Sequence, residues 1–147
     1  MLKRLLASAA AAALFAAPAF AMKAPREESP APEELLRAMG YGADEGELKE
    51  AIAEAERHPL GTAQNPVRVG GPEGERAYIV RLRCADGSTP KVGPRGSAGI
   101  GAFGTIIEIY PLDCGASAPG RTDLVMDMYH EEHVEDRAPA GFTITPR

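Results

Sequence analysis

Cys84 and Cys114 are the only cysteines in a chain of 147 residues, and what they do depends on the compartment the chain reaches. The N-terminus bears on that directly. Met1-Leu2-Lys3-Arg4 is a short basic start, Leu5 to Phe15 is an apolar run whose one polar residue is Ser8, and Ala19 and Ala21 bracket Phe20 just after Pro18. A basic start, an apolar middle and a small-x-small end form a secretory leader. This predicts cleavage after Ala21, with residues 1–21 as signal peptide. The rival is a transmembrane anchor, since Leu5 to Met22 is about 18 residues, the lower margin for a span. Its alanine content and its break at Pro18 favour the leader. No cysteine stands at its end to take a lipid. No later segment is apolar enough to span, so no membrane anchor is expected after cleavage. The expectation is a bacterial protein of the periplasm or the medium.

In that compartment an even pair of cysteines reads as a disulfide. Two free thiols or a pair of metal ligands are the alternatives. The spacing is unlike Cys-x-x-Cys, which argues against redox catalysis. The staple matters because the core is poor in large side chains. The chain has no Trp, and Phe15 and Phe20 leave with the leader, so Phe103, Phe142 and four Tyr are the remaining aromatics. A small domain built on Val, Ile, Leu, Met and Ala is marginal without a cross-link.

Cleavage also removes Lys3 and Arg4 but no acid, so 16 basic residues become 14 against 21 acids and the formal charge moves from −5 to −7. Such a charge excludes a general nucleic-acid binder, whose footprint is basic, and opposes adhesion to anionic lipid.

Residues 22–31 are proline-rich and charged and read as a disordered lead-in. Residues 32–58 read as a helical hairpin. Pro32, Glu33 and Glu34 suit a first helical turn, and Gly40 suits a left-handed stop. Asp44-Glu45-Gly46-Glu47 resembles a capping box, and Leu48, Ala51, Ile52 and Ala55 follow at helical spacing. His58-Pro59 ends that helix. Residues 59–147 read as a β-rich domain. Gly70 to Gly74 is expected to turn, and Tyr78 to Cys84 to form a strand. A glycine-rich loop is expected from Lys91 to Gly104, and a strand from Thr105 to Tyr110. Leu124 to Tyr129 is a further strand candidate, and Phe142 to Thr145 closes the sheet. Pro111 suggests an edge or a bulge. The fold class is α+β: a helical hairpin, then a small, mostly antiparallel sheet of four or five strands, stapled by Cys84–Cys114. A cluster of Arg81 and Arg83 with Glu108 requires a break in strand register, because regular alternation puts them on different faces.

Two segments carry candidate chemistry. Gly99-Ile100-Gly101-Ala102-Phe103-Gly104 matches the dinucleotide pattern in letters. That pattern works only between a strand and a helix whose N-terminus meets the pyrophosphate, and here a strand is expected after it. The alternatives are a hairpin that needs glycine backbone angles, or an anion or sugar-acid site. In the latter, Lys91 and Arg95 flank the exposed N–H groups of Gly99, Gly101 and Gly104. The second segment is Asp127-Met128-Tyr129-His130-Glu131-Glu132-His133. On a helix, His130 and His133 share a face with Asp127 one turn earlier, a set suited to a transition metal such as zinc or copper. On a strand the two histidines part, and the segment becomes a solvated acidic stretch. No Ser, Thr or Cys stands beside an evident base, so no nucleophile–base pair is expected.

His58-Pro59-Leu60-Gly61, Asn65-Pro66-Val67-Arg68, Arg81-Leu82-Arg83-Cys84 and Asp127-Met128-Tyr129-His130 resemble a group of small, exported, uncharacterised bacterial proteins. The resemblance runs from His58 to Phe142. It implies an exported single domain and assigns no site residue.

Three functions remain open at this level. One is a non-enzymatic binding module for an envelope or small-molecule ligand, without a cofactor. Another is a metal-binding protein or metal-dependent enzyme using Asp127, His130 and His133. The third is a purely structural envelope protein.

Overall fold

The computed structural model describes residues 30–147; the leader and most of the lead-in lie outside the described residues. Helix α1 (Pro32–Ala38) starts on its proline and ends at Gly40, whose φ is 82°. Helix α2 (Glu45–Ala55) carries the capping box the sequence suggests: Asp44 Oδ1 accepts from Glu47 N at 2.9 Å, and Asp44 N donates to Glu47 Oε2 at 3.2 Å. Two orphan donors of the first turn are thereby satisfied.

A five-stranded sheet follows. Its strands are β1 (Val67–Arg68), β3 (Lys91–Val92), β4 (Gly96–Ile100), β5 (Ile106–Asp113) and β6 (Arg121–Asp127). The order is β1-β6-β5-β3, and β4 shares with β3 the same edge of β5. β1 runs parallel to β6, and the other pairs are antiparallel. The fold is α+β with a mixed sheet. β5 passes straight through Pro111, which falls opposite the interruption between β3 and β4. There Gly93 N donates to Pro111 O at 2.7 Å, and the reciprocal bond that proline cannot make is lost at Gly93, outside either strand.

Four expectations are corrected. Gly70 to Gly74 is not a free turn and Tyr78 to Cys84 is not a long strand, because Gly71–Ile79 winds into α3. Pro72 presets the first helical turn. Glu75, Tyr78 and Ile79, three and four apart, then face inward together. Gly74 serves close approach: a Cβ there would sit 3.0 Å from Val69 Cβ. What remains extended is β2 (Leu82–Arg83), while Val80, which an alternating strand would bury, is 62% exposed. Phe142 to Thr145 does not close the main sheet, because β7 (Thr143–Ile144) pairs with β2 in a separate two-stranded sheet. The Lys91–Gly104 segment is not a loop but holds β3 and β4.

Register sorts the sheet into two faces. Glu108 lies opposite Met126, Tyr110 opposite Leu124 and Leu112 opposite Thr122. This face meets α3 in the main core, with Val67, Val69, Tyr78, Ile79, Leu82 and Phe142. The Cys84–Cys114 bridge, with a Cα separation of 5.8 Å, joins the end of β2 to the end of β5. The other face carries Ile107 and Val125 toward α2. Gly101 presses on it so closely that a Cβ would overlap Ile107 Cγ2. Gly101→Ala should therefore lower stability by about 1–3 kcal/mol, the cost of overpacking. An unchanged urea midpoint would mean that Ile107 swings clear freely.

Candidate functional site

The Asp127 cluster resolves into packing. The chain after β6 is neither the helix nor the continued strand weighed above. It runs irregularly and is held by Gly71 N to Met128 O at 2.7 Å and His130 N to Val69 O at 3.2 Å. Asp127 is fully buried. It accepts from Thr105 Oγ1 and, at 3.1 Å, from Tyr129 N. His130 is buried with Nε2 3.5 Å from Asp127 Oδ1 and its ring edge-on to Phe103 at 5.1 Å. His133 turns instead to Glu135, with Nε2 3.7 Å from Oε2. Burial, and then the nearby charge of Arg68, hold the His133 imidazole below its ordinary range. Among the described residues, no three His, Cys, Asp or Glu side chains are placed to hold a metal ion.

The glycine motif is a hairpin element. Gly99, with φ of 80°, sits where the β4–β5 register slips by one residue, a glycine bulge. Gly104, with φ of 76°, accepts at its carbonyl from Gly42 N at 3.0 Å, so the turn anchors the approach to α2. A strand follows it, and the helix that a dinucleotide requires is not there.

Lys91 and Arg95 part company. Arg95 donates to Glu108 Oε2 at 2.9 Å and lies 3.8 Å from Glu75 Oε2. It neutralises carboxylates rather than offering itself to an anion, which corrects its expected role. Arg81 and Arg83 do not reach Glu108 either: Arg81 pairs with Asp136 at 2.8 Å, and Arg83 donates to the carbonyls of Val80 and Leu82. Beneath Arg95, Glu75 is fully buried, and Tyr110 donates its hydroxyl to Glu75 Oε2 at 2.8 Å. Burial, with the adjoining Glu108 carboxylate, pushes the Glu75 carboxyl up to about 7. Sequence reasoning missed Glu75 because it lies between an expected turn and an expected strand, where a charged residue reads as exposed, whereas it falls inside α3.

Lys91 stays at the surface and finds other company. Register sets Lys91 opposite Asp113 and Asp113 opposite Arg121. One step along, the Gly93–Pro111 pair continues to Asp123. These six residues share the face of the sheet away from α3, and they border an open groove of about 590 Å³. Gly93 and the low ring of Pro111 form its floor. Arg121 Nε donates to Asp113 Oδ2 at 3.1 Å. That bond, after the stronger one from Gly115 N, holds the Asp113 carboxyl below its usual range. Among the described residues, Lys91 and Asp123 have no ion-pair partner within 4.0 Å. The groove therefore offers a free cation in Lys91, an Arg121–Asp113 ion pair beside it, a free carboxylate in Asp123 and an apolar floor, the pattern of a shallow ligand site.

Compared with protein-family models, curated proteins and solved structures, the chain matches none.

Proposed function

We propose that the protein is an exported, non-enzymatic binding module that takes an acidic sugar on the open face of its sheet. The leader and the Cys84–Cys114 bridge support export. No helix among the described residues is long and apolar enough to cross a membrane. The observation that carries the ligand class is the groove between Lys91 and Arg121. The ligand's carboxylate pairs with Lys91, while Arg121 holds Asp113 at 3.1 Å and keeps it from closing on that lysine; the ring rests on Gly93 and Pro111, and a hydroxyl meets Asp123.

The test is an NMR titration of the 15N-labelled mature chain with glucuronic acid and N-acetylmuramic acid, and with glucose as the neutral control. The acids should shift Gly93, Asp113, Arg121 and Asp123 saturably. Lys91→Ala and Arg121→Ala should each weaken binding about two- to fivefold, the worth of an exposed ion pair. Equal shifts with glucose, or a groove unmoved by either acid, overturn the assignment.

A further inference from the structure

A different surface carries a second interaction. β4 reads Gly96-Ser97-Ala98-Gly99-Ile100, and all five residues are exposed. One edge of it pairs with β5, and among the described residues no strand lies along the other. Natural edges are usually guarded by lysine, proline or a covering element, and these five positions hold none. Beside the strand, a cleft of about 480 Å³ opens between α2 and the β4–β5 hairpin, bordered by Ala51, Ala55, Ala98, Ile100 and Ile107. Glu54 and His58 also line it.

We propose that the β4 edge receives an extended segment of another protein as an added strand, with an apolar side chain in this cleft and a basic residue beside it. The main-chain donors and acceptors of a strand edge are matched in full only by another extended main chain, so the occupant is a polypeptide. Its charge follows from α2. From Asp44 to Arg57 the chain carries Asp44, Glu45, Glu47, Glu50, Glu54 and Glu56 against Lys49 and Arg57, an acidic excess that remains with Glu54, at the cleft, paired to Arg57 at 2.8 Å and Glu56 lying 3.7 Å from Arg137. A second copy fits less well. Antiparallel pairing of β4 with β4 would continue the sheet through a dyad and set two acidic α2 helices on one face. The bulge at Gly99 keeps the paired run short, which favours a reversible partner over a growing fibre.

The probe is the capped peptide Lys-Thr-Val-Thr-Val-Thr-Lys, whose valines and lysines share one face when extended. It is compared with its Glu-Thr-Val-Thr-Val-Thr-Glu counterpart and with a version methylated at alternate amides. Amide exchange is followed on the mature chain. The lysine peptide should slow exchange across Gly96–Ile100 at least tenfold at saturation. The glutamate peptide should bind at least threefold more weakly, and the methylated one should give no protection. Ala98→Lys, at an exposed position, should abolish the protection without moving the melting temperature. The proposal is overturned if β4 amides stay unprotected by the lysine peptide. It is equally overturned if the methylated peptide protects them as well, or if protection grows with protein concentration alone, which would make a second copy the occupant.

Discussion

Replacing Cys84 and Cys114 together by alanine should lower the stability of the folded chain by about 3–4 kcal/mol. The bridge closes a separation of 30 residues, and restricting a loop of that size in the unfolded chain is worth about that much in the chain-entropy model. Its position makes the loss specific. Cys84 is 1% exposed and belongs to the main core, whereas Cys114 leads out of β5. The bond therefore fastens β2, with β7 and α3 around it, to the large sheet. Opening it should loosen that part first. Urea denaturation with and without reductant measures the total, and amide exchange in β2 and β7 shows where it falls. A loss below 1 kcal/mol would mean that core contacts alone hold the two sheets together.

Replacing Glu75 by glutamine should change how stability depends on pH. In the folded protein the Glu75 carboxyl holds its proton to about 7, against 4.5 for an ordinary glutamate. Below 4.5 both folded and unfolded chains are protonated there, and the stabilising difference is fully present. As pH rises from 4.5 to 7, the unfolded chain has given up its proton while the folded one retains it, so stability falls through that window. The loss approaches about 3 kcal/mol for a fully buried group. Glutamine keeps the shape and still accepts from Tyr110, but it carries no charge to bury. The variant should match the parent near pH 4 and exceed it by up to about 3 kcal/mol at pH 8. Parallel curves at every pH would show that the buried carboxylate is fully compensated by Arg95.

Glu135 tilts the other limb. Burial alone would raise its carboxyl, but the side-chain and backbone bonds from Arg137 prevail and hold it down to about 2. Its contribution is present above 4.5 and is lost as pH falls toward 2. From these two groups together, stability should peak at about pH 4–5. Urea midpoints from pH 3 to 9 check this directly.

Which features were readable from the sequence follows from the range of the interactions behind them. The start of α2 was readable because the capping box is a local device, with donor and acceptor three residues apart. The disulfide was readable because two cysteines allow one pairing. Helix α3 was not. Gly70, Gly71 and Gly74 carry the composition of a turn, yet Gly74 is small because Val69 lies against it, a contact that composition does not report. The apolar residues from Tyr78 to Cys84 fit a period of two until helix α3 claims the first of them. β4 read as loop because five small or exposed residues have no alternation to detect. The candidate groove was half legible. Lys91 stood out as a cation, but Arg121 and Asp123 reach it only through the registers of two strand pairs. Arg95 was noticed for its charge, and its role reversed because Glu75 and Glu108 converge on it from separate elements.

The parallel pairing of β1 with β6 has a consequence for the order of assembly. β5 and β6 are joined by the short stretch of residues 114–120 and form a local hairpin. Val67 must find Met126 from far along the chain, a slow step in folding because closing a long loop comes before any gain from the contact. During synthesis, everything from α1 through α3 emerges before β6 exists. The first half of the molecule has no sheet to join until the second half arrives, and β2 waits longer still, for β7 near the end of the chain, so completion of the native state is a late event.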